Sequence, residues 1–226
     1  MQVAGEIGPK LARGSAEVAA SISIPEIRDY QRINGELIAR LDEGYRSIRL
    51  TGADGHRLLV AGIVGKWNAI VEIEGNVGPE IGFSLDAPGL TVICRGNTAD
   101  GAGSCLKSGR LVVLGSAGNC LGYSQSGGEI VVFGNSGHRA GLNQSGGRLV
   151  LLGDTGRLLG ERQSGGVIHF DGVKRESILQ RENRRGLFVA FSEVEQSHPA
   201  GSQDSFSLQG LREELKPWLS VAVRGF

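Results

Sequence analysis

The chain has 226 residues, with 24 basic and 24 acidic side chains, a formal charge of zero and a pI near 6.9. This balance argues against a nucleic-acid-binding surface, and no apolar run is long enough to cross a membrane. With 37 glycines, 5% aromatic residues and no apolar signal-peptide stretch in residues 1–20, the sequence predicts a tightly wound cytoplasmic protein.

The first third of the chain is predicted to form an arm and a cap. Residues 1–23 are rich in small side chains and are expected to be a mobile arm or an extended strap. Residues 24–70 form the cap. Its helix covers Ile33–Leu41, with Gly44 as its stop, because the apolar side chains there recur on one face. The runs Ser47–Thr51 and Arg57–Ile63 are predicted strands around a glycine-containing turn.

Residues 71–172 contain a glycine repeat with a period of nineteen residues. A fixed period of this length predicts stacked coils of backbone, about six in number. The glycines are expected at corners, where the chain needs positive φ or close backbone approach. The main column consists of Gly96, Gly115, Gly134, Gly153 and Gly172, with Gly75 twenty-one residues before Gly96, and a second column seven residues later includes Gly122, Gly141 and Gly160.

A short aliphatic run precedes each glycine of the main column and predicts one β-strand per coil. Residues two and four before the glycine are always apolar, as in Val113 and Leu111, so this side of every strand should fill the lumen. Strands in register at a fixed period, joined by short turns, stack in parallel. The predicted fold is therefore an all-β, single-stranded parallel β-helix with short flanking α/β segments.

The outward strand face is polar at both ends of the stack and apolar in the middle. A patch of six large apolar side chains needs a cover. The cover is either this chain's own N- or C-terminal segment or a partner protein, and self-association through the face is a third arrangement. The candidate partner-docking face consists of Val112, Leu114, Val131, Phe133, Val150 and Leu152.

Residues 173–226 are predicted to form a C-terminal cap and tail. Lys174–Arg185 is expected to be a loop or short helix, Leu187–Phe191 a strand, and Leu211–Leu219 an amphipathic helix broken at Pro217. Such end pieces protect the open edges of a stacked sheet.

The three cysteines do not have the paired spacing of a metal or cluster site. Cys94 falls in the lumen column, where a reduced thiol acts as a small apolar filler. Cys105 and Cys120 lie on neighbouring coils and are expected to be buried thiols, with a disulfide between them as the alternative.

No catalytic, cofactor-binding or metal-binding residue is assigned from the sequence. The best nucleophile and base pairing would be His138 with Ser124 or Ser126, for which a loop-tip histidine is the simpler explanation. The pairs Gln125-Ser126, Gln144-Ser145 and Gln163-Ser164 predict ladders of side chains hydrogen-bonded along the rod, with a polar binding stripe as the alternative.

The coils Gly115–Gly122, Gly134–Gly141 and Gly153–Gly160, each followed by a Ser-Gly-Gly corner and a strand, resemble a known repeat. They are similar to the C-terminal β-helix, or GXGXG, domain of glutamate synthase large subunits. The same fold occurs in the C subunit of formylmethanofuran dehydrogenase and in stand-alone subunits of glutamate-synthase-like complexes such as N-methylglutamate synthase. The resemblance covers about 71–172, although no literal Gly-x-Gly-x-Gly occurs.

This resemblance implies right-handed coils and a non-catalytic scaffold that binds other protein subunits. It implies no cofactor in this chain, while partner subunits carry FMN, iron–sulfur or metal centres. The expected function is a structural subunit of a glutamate-synthase-like, amidotransferase-linked complex. A scaffold of the formylmethanofuran dehydrogenase or formyltransferase/hydrolase type is the first alternative, and an autonomous hydrolase with a groove on the rod is the second.

Overall fold

A computed structural model of the protein describes residues 19–170, the backbone of 187–190, and the single residues Gly210, Glu213 and Lys216. The described strands form one parallel sheet in which strand order follows chain order. The elements are β1 (Ala19–Ser23), α1 (Ile24–Ile27), α2 (Tyr30–Asp42), β2 (Ser47–Thr51), β3 (Ala69–Ile73), β4 (Asp86–Cys94), β5 (Ser108–Val113), β6 (Glu129–Val132), β7 (Arg148–Leu151), β8 (Val167–Phe170) and β9 (Leu187–Ala190).

The stack is a parallel β-helix with one strand per coil, as predicted. Each strand from β3 to β8 pairs in parallel with the next, and within residues 69–170 the connections contain no helix. Isolated parallel bridges join the turn sides of successive coils, at Val77, Thr98, Ala117, Ser136 and Thr155. Neighbouring coils are therefore hydrogen-bonded on more than one side, and the lumen is closed by backbone.

The lumen is filled by the apolar columns that the strand pattern predicted. Leu111, Ile130, Leu149 and Ile168 stack in register, and all are fully buried. The second inward column is equally buried and consists of Ile73, Cys94, Val113, Val132, Leu151 and Phe170. Because both columns belong to one hydrophobic cluster, the interior of the rod is a packed core rather than a channel.

The two glycine columns have different physical causes. At Gly134 a Cβ atom would lie 2.6 Å from Ser116 Oγ and 2.8 Å from Gly115 O, so the coils approach too closely for any side chain. At Gly141 φ is +69°, a conformation that L-residues with side chains rarely adopt. Close approach also explains Gly96, Gly115 and Gly153, whereas Gly75, the first glycine of the main column, has open space around it and a φ of +88°. Both of the expected reasons for corner glycines are therefore present; Gly172 lies outside the described residues.

The sheet begins well before the predicted first coil. Ala19–Ser23, which the sequence pattern placed in the arm, forms β1 and pairs in parallel with β2. The predicted strand Arg57–Ile63 is wrong: this segment is a turn region in which Leu58 and Val60 have φ of 58° and 59°. The segment resembles a strand because Leu58 and Val60 stand where the next coil has Glu80 and Gly82, which lengthens the apolar run.

Helix α2 contains the predicted helix Ile33–Leu41 and contacts the first coil. Its first turn is capped by Asp29, whose side chain accepts hydrogen bonds from the backbone N–H groups of Gln31 and Arg32 at 2.8 and 3.0 Å. Asn34 reaches the coil, where its Oδ1 accepts from Val60 N at 2.8 Å and its Nδ2 donates to Leu58 O at 2.9 Å. One helix side chain thus holds the strained backbone around Val60.

Strand β9 confirms the strand predicted at Leu187–Phe191 and pairs in parallel with β8. The remaining C-terminal predictions, Lys174–Arg185 and Leu211–Leu219, lie outside the described residues except for Glu213 and Lys216, which are helical.

Candidate functional site: the outward strand face and the corner ladders

The six residues of the candidate docking face come together in one cluster on the outside of the sheet. Val112, Val131 and Val150 stack directly on one another and have 0% exposure, with Ile93 extending the column. Half-buried side chains pack beside this column, namely Ile70, Leu114, Phe133 and Leu152. We call this cluster the outward apolar face. Its centre is as dry as the lumen, although it lies on the opposite side of the strands.

The start of the same face carries mutually paired charges. Glu72 forms ion pairs with Arg49 at 3.5 Å and with Arg95, and Glu74 pairs with Arg49 at 3.4 Å. These residues lie on or directly after adjacent strands, so the pairs join one coil to the next. Because opposite charges are matched across coils, this end of the face has no large potential of either sign.

A second charge ladder borders the apolar column at the beginning of the strands. Glu129 lies between two arginines and contacts Arg110 Nε at 2.7 Å and Arg148 Nη1 at 3.3 Å. All three side chains are partly buried. The rim of the outward apolar face is therefore polar and ordered by coil-to-coil pairing.

His169 continues the central column beyond Val150. Its side chain is 5% exposed, and burial, with a smaller contribution from the positive charge of Arg148, lowers the pKa of His169 to about 4. The imidazole is therefore neutral at physiological pH. A neutral, buried histidine extends the uncharged stripe, although the sequence pattern placed it at the polar end of the stack.

His138, the sequence-predicted candidate base, belongs to a structural ladder at a corner. Asn119 N donates to Asp100 Oδ1 at 2.7 Å, His138 N to Asn119 Oδ1 at 2.8 Å, and Arg157 N to His138 Nδ1 at 2.9 Å. The last bond assigns the proton of the neutral ring to Nε2. Within residues 19–170 no hydrogen bond joins His138 to Ser124 or Ser126, so the geometry does not assemble that pairing.

A parallel ladder follows the main glycine column and was not predicted. Asn76, Asn97, Ser116 and Asn135 each accept, through the side chain, a bond from the backbone N–H one coil later, at 2.8 to 3.1 Å. The position immediately after the glycine is Asn, Ser or Asp in every coil from Gly75 to Gly153, which is the signal that could have revealed it.

The glutamine ladder is confirmed, and it lies inside the rod. Gln144 Nε2 donates to Gln125 Oε1 at 3.2 Å, and Gln163 Nε2 donates to Gln144 Oε1 at 2.9 Å. All three glutamines have 0% or 1% exposure, which rules out the alternative of a glutamine binding stripe. The serines that follow them are exposed.

The cysteines are free thiols in two environments. Cys94 lies in the lumen, where burial raises the pKa of its thiol to about 12, so it is an inert filler. Cys105 and Cys120 are half-exposed rather than buried, which corrects the expectation for these two. In the described part of the chain no group of three or more His, Cys, Asp or Glu side chains could hold a metal ion.

The helices of the described residues are too short or too polar to cross a bilayer. No family model, curated protein or solved structure matches the chain.

Proposed function

We propose that this chain is a structural β-helix subunit of a multi-subunit enzyme complex. The observation that carries the proposal is the use of its polar side chains. At the corners Asn97, Asn119 and His138 accept bonds from the next coil, and in the lumen Gln125 and Gln144 bond to their successors. Side chains engaged in this way make the rod rigid, and rigidity is what a scaffold needs to hold other modules in position.

The glutamate-synthase-like, amidotransferase-linked complex is the type we favour. Support comes from the repeats that resemble the GXGXG domain and from the β-helix that those repeats form. In such a complex FMN, iron–sulfur or metal centres belong to the partner subunits, and this chain supplies a rigid surface between them. We place the complex in the cytoplasm, in keeping with three free thiols.

The test is reconstitution with the native partners. The tagged chain is purified from its own cells, and proteins that remain in fixed stoichiometry through size-exclusion chromatography are identified. The proposal expects a partner with an amidotransferase or flavin module whose coupled activity needs this chain, while the chain alone is inactive. A chain that stays alone, or partner activity that is unchanged without it, would refute the scaffold role.

One variant separates a scaffold from a hydrolase. His138→Asn keeps the corner acceptor, because asparagine occupies the same position one coil earlier, but removes the imidazole. A scaffold retains full coupled activity in this variant. Hydrolytic activity of the purified chain that disappears in His138→Asn supports the autonomous enzyme instead.

A further inference from the structure

The outward apolar face has a cover that the described elements do not supply. Val112, Val131 and Val150 have 0% exposure on a sheet face that points away from the lumen. Neighbouring strands shield only the edges of such side chains, and full burial of a sheet face requires a second layer packed on it. Something must therefore lie across β5, β6 and β7.

The helices of the cap are at the wrong end of the stack. Helix α2 packs on β1, and α1 packs on β2. With neighbouring strands about 4.8 Å apart, β2 lies about 14 Å from β5 along the stack. Because these side chains are buried in the single chain, the layer over the centre of the outward apolar face must come from a different part of the same chain.

The C-terminal part of the chain contains an element of the required chemistry. Gly210, Glu213 and Lys216 are helical and exposed, and Lys216 Nζ pairs with Glu213 Oε2 at 3.3 Å. Residues three apart lie on one side of a helix, so this side faces solvent. The sequence places apolar residues about 180° away from that side at about 100° per residue. They are Leu208, Leu211 and Leu215, all of which precede Pro217.

The chain is long enough to bring this segment to the face. Strand β9 ends at Ala190, and nineteen residues separate it from Gly210. Such a connection spans up to about 60 Å when extended, whereas β9 and β6 are three strand spacings, about 14 Å, apart. The connection therefore allows the segment to return over β8 and reach β6.

We propose that the segment 208–219 lies across the outward apolar face, with Leu211 and Leu215 packed on the column of Val112, Val131 and Val150. The charged rim formed by Arg110, Glu129 and Arg148 then borders the segment rather than lying beneath it. A protein partner reaches the centre of this face only by displacing the segment. This inference goes beyond the scaffold role and does not depend on it.

Photo-crosslinking of the full-length chain tests the contact directly. The photoreactive amino acid p-benzoylphenylalanine replaces the residue at position 211, and crosslinked peptides are located by mass spectrometry. We expect crosslinks within the same chain to peptides containing 110–114, 129–133 or 148–152. The same probe at position 216, on the solvent side, should give none to these peptides.

An equal mixture of isotopically light and heavy protein distinguishes the occupants. Crosslinks between light and heavy chains identify a second copy as the cover and overturn the proposal. Crosslinks that map elsewhere, or no crosslink from position 211, overturn it as well.

A charge-matched pair of variants gives a second readout. Leu211→Asp combined with Leu215→Asp should raise the binding of a fluorescent hydrophobic dye several-fold, because the apolar face becomes exposed. Lys216→Asp introduces the same side chain on the exposed side and should leave dye binding at the wild-type level. Equal dye binding in the two variants contradicts the proposal. Both measurements use the purified chain, so their outcome is separate from that of the partner reconstitution.

Discussion

Replacing Gln144 by leucine tests how much the lumen ladder contributes to stability. Leucine fits the lumen, because Leu85 and Leu106 occupy the equivalent position in the two coils before Gln125. The backbone register shows this equivalence, since Lys107 N donates to Leu85 O, Ser126 N to Leu106 O and Ser145 N to Gln125 O. The substitution therefore removes hydrogen bonds without a large change in volume.

The expected loss of stability follows from the groups that Gln144→Leu leaves behind. Gln125 Oε1, which is fully buried, loses its donor, and an unsatisfied buried acceptor costs about 1–3 kcal/mol. Gly146 O loses the bond from Gln144 Nε2 at 3.2 Å, while Gln163 Nε2 keeps only its bond to Gly166 O at 3.4 Å. These weaker losses add about 1 kcal/mol, so we expect a total of about 2–4 kcal/mol.

Equilibrium unfolding in urea, followed by far-ultraviolet circular dichroism, measures this difference. Gln144→Met is the control for shape, since methionine is unbranched like glutamine and lacks the amide; it should cost a similar amount. A variant with leucine at 125, 144 and 163 should lose less than three times the single value, because the orphaned side-chain acceptors are removed together. Single variants within about 0.5 kcal/mol of wild type would refute the ladder as a source of stability.

Three further predictions concern the corners and the buried histidine. His138→Ala should cost about 1 kcal/mol by removing the acceptor for Arg157 N, whereas His138→Asn should cost less than half of that in the same urea assay. Gly134→Ala should cost about 1–3 kcal/mol because its Cβ would meet Ser116 Oγ at 2.6 Å. Gly35→Ala in helix α2 has open space around the added methyl group and should stabilise the protein by about 0.5–1 kcal/mol. The two substitutions should therefore shift the midpoint of thermal unfolding in opposite directions. The pKa of His169 is about 4 in the folded protein and 6.5 for the unperturbed group, so the unfolded chain binds more protons between these two pH values. The free energy of unfolding should therefore be highest above pH 6.5 and fall by up to about 3 kcal/mol as the pH drops to 4, and His169→Gln should lack this fall. Parallel pH profiles of stability for the two proteins would contradict the prediction.

Much of the fold could be predicted because the coil repeats. The nineteen-residue glycine period and the alternating aliphatic runs located β3 to β8, each observed strand ending one residue before the predicted end. The first coil could not be recognised in this way. Val60 stands where later coils have Gly122 or Gly141, and its φ of 59° is held by the hydrogen bond that its N–H donates to Asn34 Oδ1, twenty-six residues away. A strand prediction for Arg57–Ile63 follows local preference, whereas tertiary contacts decide the conformation.

The candidate site was predictable in composition and not in its hydrogen bonding. Outward apolar side chains such as Val131 and Phe133 could be identified from strand alternation alone. The corner ladder of Asp100, Asn119 and His138 could not, because three different side chains perform the same task of accepting one backbone N–H. The residue type varies along that column, whereas each side chain accepts the same backbone hydrogen bond from the next coil. The sequence alone therefore makes His138 look unusual, although it does the same task as Asp100 and Asn119.

The backbone of the coils explains why such ladders are needed. In the coil that contains Gly122, φ is positive at Cys120 and Ser124 as well, at 55° and 54°, and the next coils repeat this arrangement at Arg139, Gly141 and Asn143 and again at Leu158, Gly160 and Arg162. Each non-glycine residue in this conformation costs about 1–2 kcal/mol. An isolated coil therefore carries strain that its own contacts do not offset, and stability comes from the interface between coils.

Bonds such as Arg157 N to His138 Nδ1 and Gln144 Nε2 to Gln125 Oε1 lie at that interface and are made only when coils are stacked. The same reasoning applies to the ends of the rod, where a coil has one neighbour instead of two. At the start, Asn34 of α2 supplies the missing bonds to Val60 and Leu58. Strain within the coil, bonding between coils and a cap at the end thus form one energetic system, in which each coil is stable only against its neighbours.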